Sequence, residues 1–155
     1  MSSIFLNILQ KFRDLIVWFW KQEGTPAKRA RGLAVGVFSG CFPFFGLQTL
    51  IGIFLATIFR ANHLLAIAGT WISNPFTYFP LYWLNYRVGE VFVGEGNHLK
   101  AFHHLTRKEL WDQGLIFSSR ILLGSSIVGL ITGIISGLTF YAVLKFFLKK
   151  RKPLF

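Results

Sequence analysis

The chain of 155 residues is 53% hydrophobic and only 15% charged, with a mean hydropathy of +0.51, too apolar for an ordinary soluble domain of this size. Its net charge of +11 gathers at Lys28-Arg29-Ala30-Arg31 and Lys149-Lys150-Arg151-Lys152, beside apolar segments, where positive charge orients a membrane protein and meets anionic lipid; nucleic acid is not the expected partner. Cys41 is the only cysteine, which excludes an intramolecular disulfide and a multi-cysteine metal site.

In chain order, the first element expected is an amphipathic helix over 4–20. Asn7, Gln10, Lys11 and Asp14 fall at helical spacing opposite Phe5, Leu9, Phe12, Ile16 and Phe19. Such a helix lies in the membrane interface, anchored by Trp18 and Trp20, or packs on the cytoplasmic face of the protein itself. Charges at Lys11, Arg13 and Asp14 and the lack of a small-residue cleavage site argue against a signal peptide. Gly24-Thr25-Pro26 ends the helix. The expected organisation is thus an interfacial helix and linker over 1–26, then one membrane-embedded domain over 27–155 with a basic tail.

Two charge-free stretches follow, 32–59 and 61–86, separated only by Arg60. Both are interrupted: the first by Pro43 and Gly46, the second by Asn74-Pro75 and Pro80. Backbone broken at membrane depth is tolerated only where protein or a cavity covers it, so function is sought here. Gly32, Gly36 and Gly40 give the first half-helix a smooth face for close packing. Gln48 needs a partner, either another helix or a ligand. In the second stretch Thr70, Asn74, Thr77 and Asn85 fall close to one helical face. If Asn74-Pro75 opens the helix, freed carbonyls and the Asn74 amide face Gln48 across a shared cavity. The candidate ligand-binding set is therefore Gln48, Thr70, Asn74 and Thr77; mutual satisfaction of Gln48 and Asn74 explains the same residues without a ligand. Tyr78, Tyr82 and Tyr86 form an i, i+4, i+8 column near Trp71 and Trp83. Such aromatics mark interfaces, pack helices or stack on a ring-bearing ligand.

The stretch 88–119 carries three basic and four acidic residues, a formal charge of −1, so it tolerates the non-cytoplasmic side. Gly89, Gly94 and Gly96 predict a loop, and Thr106-Arg107-Lys108-Glu109 predicts a capping box opening a short interfacial helix with Leu110, Trp111, Leu115 and Ile116. His98, His103 and His104 near Glu95 and Glu109 match no standard metal site.

Residues 121–144 carry no charge, and 24 residues suffice to span a hydrocarbon core needing about 20. Thirteen are Leu, Ile, Val or Phe, favouring insertion by about 4 to 8 kcal/mol before the polar and glycine penalties. Ser125, Gly129, Gly133 and Gly137 recur every four residues as a helix-packing face, for this chain or another subunit. With both basic clusters cytoplasmic, the number of crossings is even. One proline-broken segment is then re-entrant, and 32–59 is preferred: a half-helix enters, turns near Pro43 to Gly46 and returns so that Arg60 stays cytoplasmic; the alternative keeps three true crossings and lets one basic cluster violate the rule. The fold class expected is all-α: proline-broken helices, a C-terminal transmembrane helix and an N-terminal amphipathic helix.

No Asp, Glu, Lys or Arg stands inside the three apolar stretches, which argues against a proton-driven pump. No nucleophile with a base and no phosphate-binding glycine loop is present in the sequence, so neither an enzyme nor a cofactor is expected.

The run Gly36-Val37-Phe38-Ser39-Gly40-Cys41-Phe42-Pro43-Phe44-Phe45-Gly46-Leu47-Gln48-Thr49, then Arg60-Ala61-Asn62, then Gly69-Thr70-Trp71-Ile72-Ser73-Asn74-Pro75-Phe76-Thr77-Tyr78-Phe79-Pro80-Leu81-Tyr82 closely resembles the bacterial membrane family catalogued as domain of unknown function 2062, over about 27–144. The resemblance implies an integral protein of a bacterial inner or internal membrane. Related domains joined to glycosyltransferases hint at envelope lipid or polysaccharide. Two functions are carried forward: binding or moving a lipid or small polar solute at the paired broken helices, as a homo-oligomer, or serving as an accessory subunit that docks its glycine face and amphipathic helix onto a larger membrane complex.

Overall fold

The computed structural model describes residues 10, 11 and 14, 23–94 and 107–150. These residues form five α-helices and one 3-10 turn, with no strand among them. We label the helices α1 (Pro26–Gly40), α2 (Leu47–Ile58), α3 (His63–Gly69), continued by the 3-10 turn Thr70–Ile72, α4 (Tyr78–Val93) and α5 (Arg107–Lys150). Gln10, Lys11 and Asp14 are helical and exposed; the rest of the expected amphipathic helix, the histidines at 98, 103 and 104, Glu95 and the tail beyond Lys150 lie outside the described residues.

Local chemistry sets the starts of α1 and α3. Thr25 caps α1, its hydroxyl accepting from the Lys28 N–H at 3.2 Å, and Pro26 occupies the first turn, where its missing N–H has no consequence. Asn62 caps α3, its Oδ1 accepting from the Leu65 N–H at 2.9 Å. Between them the chain reverses at Arg60, whose φ is 47°.

Glycine contacts fix the packing. A Cβ on Gly32 would meet the backbone of Asn62, one on Gly36 the backbone of Ala66, and one on Gly40 the Thr70 backbone at 3.0 Å. The three glycines expected to give a smooth face therefore do so, and α3 lies alongside α1 in the same direction. α2 runs back between the two ends of this pair: its start is joined to α3 by Thr49 and Thr70, and beyond its end the Arg60 carbonyl accepts from Arg31 Nη2 at 3.5 Å. The turn near Pro43 to Gly46 and the return of Arg60 to the basic cluster are thus present. Ala56, Ala61 and Ala66 form the small core of this trio, with Val35 packed on it.

Helix α5 is a rod of 44 residues, about 66 Å at 1.5 Å per residue. Gly129, Gly133 and Gly137 lie against Phe38, Ala34 and Ala30 of α1, so the glycine face is occupied within the chain. Further toward its N-terminus, Gly124 meets the backbone of Asn85 and Gly89 meets the backbone of Arg120, locking α4 onto α5. Helices α1 and α4 thus follow one another along α5, and α2 with α3 forms an excursion inserted between them.

Three expectations are corrected here. The short interfacial helix and the span beginning at 121 are one helix. Gly89 is buried within α4 and not part of a loop. Pro80 does not break α4: it stands in the first helical turn, where no N–H is needed.

The segment Gln113–Lys149 is long and apolar enough to cross a membrane, and only 28% of its most apolar window is buried. Large apolar side chains face outward along α2, α4 and α5, among them Phe54, Phe79, Leu130 and Leu138. Charge separates to the ends: Lys28, Arg31, Arg60, Lys145 and Lys149 collect at one end, Arg87, Glu90 and Arg120 toward the other.

Candidate functional site

Both proline breaks sit at one level, because Gly40 and Thr70 are neighbours on parallel helices. Their chemistry differs. In the second break Asn74 Oδ1 accepts from the N–H groups of Phe76 and Thr77 at 2.9 and 3.2 Å, and its Nδ2 donates to the Trp71 carbonyl at 3.4 Å. Thr77 Oγ1 accepts from the Asn74 N–H at 2.9 Å and donates to the Ile72 carbonyl at 2.6 Å. The side chains of Asn74 and Thr77 therefore close their own turn.

The first break is held from outside. Asn85 on α4, fully buried, donates through Nδ2 to the Cys41 carbonyl at 2.8 Å and to Ser125 Oγ at 2.9 Å. The Tyr82 hydroxyl donates to the Phe42 carbonyl at 3.4 Å. Cys41 itself is wholly buried, its Sγ 3.6 Å from Thr132 Oγ1. The loop ends at Gly46, whose φ of 82° favours glycine. Helix α2 then begins with no side-chain cap. The N–H groups of Phe45, Gly46 and Leu47 find no acceptor among the described residues.

Gln48, in the first turn of α2, is 7% exposed, and its Oε1 is buried without a hydrogen-bond partner. Beside it Thr49 Oγ1 lies 3.3 Å from Thr70 Oγ1, and the buried Thr70 hydroxyl donates to the Ile67 carbonyl at 2.6 Å.

The structure thus divides the four expected ligand residues. Thr70 and Gln48 belong to the start of α2; Asn74 and Thr77 are closed on themselves, and no hydrogen bond joins Gln48 to Asn74. Nor do Thr70, Asn74, Thr77 and Asn85 share one helical face: the first opens the 3-10 turn, the next two form a loop, and Asn85 is on α4. Pro43, Gly46 and Pro75 stand at real breaks. Ser125 does more than pack, since it holds Asn85.

The tyrosine column lines an open apolar groove of about 510 Å³ between α4 and α5, with Trp83, Phe117 and Ile121. Phe45 packs edge-on against Tyr78 at 4.8 Å and Tyr82 at 6.0 Å, joining the groove to the first break. Toward the far end, Arg120 is 5% exposed and donates to the Tyr86 hydroxyl at 2.7 Å, Glu90 Oε1 at 3.4 Å and the Gly94 carbonyl at 2.6 Å. Sequence reasoning passed over this arginine; a lone charge opening a long apolar run was the available signal. Among the described residues no cluster of three or more His, Cys, Asp or Glu converges as metal ligands.

The family described as an uncharacterised protein conserved in bacteria, domain of unknown function 2062, matches residues 9–152. No curated protein and no solved structure matches the chain.

Proposed function

We propose a function from the premise that this chain belongs to the bacterial family catalogued as domain of unknown function 2062. It is an integral protein of the inner or an internal membrane that crosses twice, outward through α3 and α4 and back through α5, with both termini cytoplasmic. The pair α1 and α2 is re-entrant, entering from the cytoplasmic side and returning to it at Arg60. The gathering of Lys28, Arg31, Arg60, Lys145 and Lys149 at one end supports this orientation. So does the depth of the breaks: Gly40 stands nine positions after Arg31 and Arg87 nine positions after Tyr78, about 14 Å in each direction, which puts the breaks near the middle of a core about 30 Å thick.

At that depth the start of α2 binds the polar head of a membrane lipid, or a small polar solute, against Gln48 with Thr49 and Thr70 beside it. The observation that carries this reading is the buried, unpartnered Gln48 Oε1. A buried polar atom without a partner costs about 1–3 kcal/mol; Asn85 Oδ1 shares that state inside the helix packing, and Gln48 differs in standing at the uncapped start of α2, where a ligand can supply the missing bond.

The test is native mass spectrometry of the protein released from its own membrane, paired with thermal melting in detergent. Gln48→Leu is expected to lose the bound species while melting at the same or a higher temperature, because leucine removes an unsatisfied group. A lower melting temperature with the bound species retained would show that the amide serves the fold alone.

A further inference from the structure

We infer that the head bound at the start of α2 is anionic, a phosphate or carboxylate group, an inference that rests on the reading of Gln48 above. The first turn of an α-helix presents free N–H groups and about half a positive charge, an arrangement that favours anions. In α2 this end is partly taken, the Gln48 N–H being bonded to the Phe44 carbonyl at 3.0 Å. Its N-cap is Gly46, which offers no side chain, and the N–H groups of Phe45, Gly46 and Leu47 are unpaired among the described residues. No Asp or Glu occurs from Pro26 to Thr77, and Glu90 is committed to Arg87 at 3.0 Å and Arg120 at 3.4 Å.

Gln48 is the second and independent observation. Side chains on a helix lean toward its N-terminus, so the amide of the second helical residue lies over the same turn as the free N–H groups. Its two ends differ by a half-rotation: one presents a carbonyl to a hydroxyl on the head, the other an N–H to an anionic oxygen. The loop just before α2 is open, while Gln48 Oε1 itself is buried. A Cβ built on Gly46 meets no atom within 4 Å, and Phe45 and Leu47 are 64% and 57% exposed. An unpaired N–H group in an apolar setting is costly, and an anionic oxygen bonded to it removes that cost.

The experiment titrates the full-length protein in detergent with phosphatidylglycerol or phosphatidylcholine of identical acyl chains, with and without inorganic phosphate, and counts retained lipid by native mass spectrometry. The expected result is a preference for phosphatidylglycerol of about fivefold, equivalent to about 1 kcal/mol at a helix terminus, that disappears in Gln48→Leu. Competition by inorganic phosphate would identify the anionic group alone as sufficient; preference without competition would identify the amphiphile as the ligand, and both support the inference. Equal retention of the two lipids by the wild-type protein, with loss in Gln48→Leu, would overturn the anionic assignment and leave the polar site standing. A preference unchanged in Gln48→Leu would assign the selectivity to the basic end and overturn the inference. Retention of neither lipid, with no bound species in the protein from its own membrane, would overturn both readings.

Discussion

The two proline breaks lie at the same level and solve the same problem in opposite ways. At 73–77 the chain carries its own repair: Asn74 caps two N–H groups, and the Thr77 hydroxyl both accepts and donates within the turn. At 41–46 the sequence Cys-Phe-Pro-Phe-Phe-Gly offers no such side chain. Its Cys41 and Phe42 carbonyls are held by Asn85 and Tyr82 of α4, and the N–H groups of Phe45, Gly46 and Leu47 are left open among the described residues. A break that closes itself is a joint; a break that depends on others is sensitive to whatever else binds there.

The largest expected effect breaks this contrast at its support. Asn85→Leu keeps the side-chain volume close but strands the Cys41 carbonyl and Ser125 Oγ, with a loss of about 2 kcal/mol for two buried hydrogen bonds. Because Cys41 is wholly buried and is the only cysteine, its reaction with a maleimide in detergent reports the opening of the first break directly. Labelling is expected to accelerate in Asn85→Leu by about tenfold or more. Unchanged labelling would show that α4 does not hold the break closed.

A smaller effect sharpens the contrast from the other side. Asn74→Ala removes the acceptor for the N–H groups of Phe76 and Thr77, a loss comparable to that of a helix N-cap, about 1 kcal/mol. The damage should stay local: a lower melting temperature, with Cys41 labelling and bound lipid as in the wild type. Loss of bound lipid at wild-type stability would instead place Asn74 in the ligand site.

How far the sequence reveals this molecule depends on the range of each interaction. The hairpin of α1 and α2, the close approach of Gly32, Gly36 and Gly40, and the return of Arg60 to the basic cluster were legible, because prolines and glycines act through the local backbone and clustered charges mark the ends of apolar helices. The continuity of α5 was hidden by a change of composition near residue 120. That change is not a stop signal, since no proline occurs between Pro80 and Pro153, and a helix propagates until its backbone is blocked. Asn85 was legible as an amide in an apolar helix, but its partners come from the first break and from α5. Nothing in spacing joins residues 41, 85 and 125. Likewise Asn74 attracted attention for the right chemistry in the wrong direction: next to proline its side chain favours its own turn over a partner across the fold.

The smallest effect expected on stability separates ligand from scaffold most finely. Thr49 and Thr70 stand 3.3 Å apart, yet the Thr70 hydroxyl already donates its proton to the Ile67 carbonyl at the shorter distance of 2.6 Å. The Thr49 hydroxyl must therefore be the donor in the threonine pair, and it retains lone pairs that nothing in the pair uses. Thr49→Val keeps the branched shape and removes one long, partly buried hydrogen bond, so stability should fall by no more than about 0.5 kcal/mol. If the start of α2 is a binding site, retention of bound lipid by native mass spectrometry should fall with it, by more than the melting temperature would suggest, since a head group seated on Gln48 has the Thr49 hydroxyl as its next polar neighbour. If retention is unchanged and only the small stability loss appears, Thr49 belongs to the scaffold, and the site narrows to Gln48 and the open N–H groups before it.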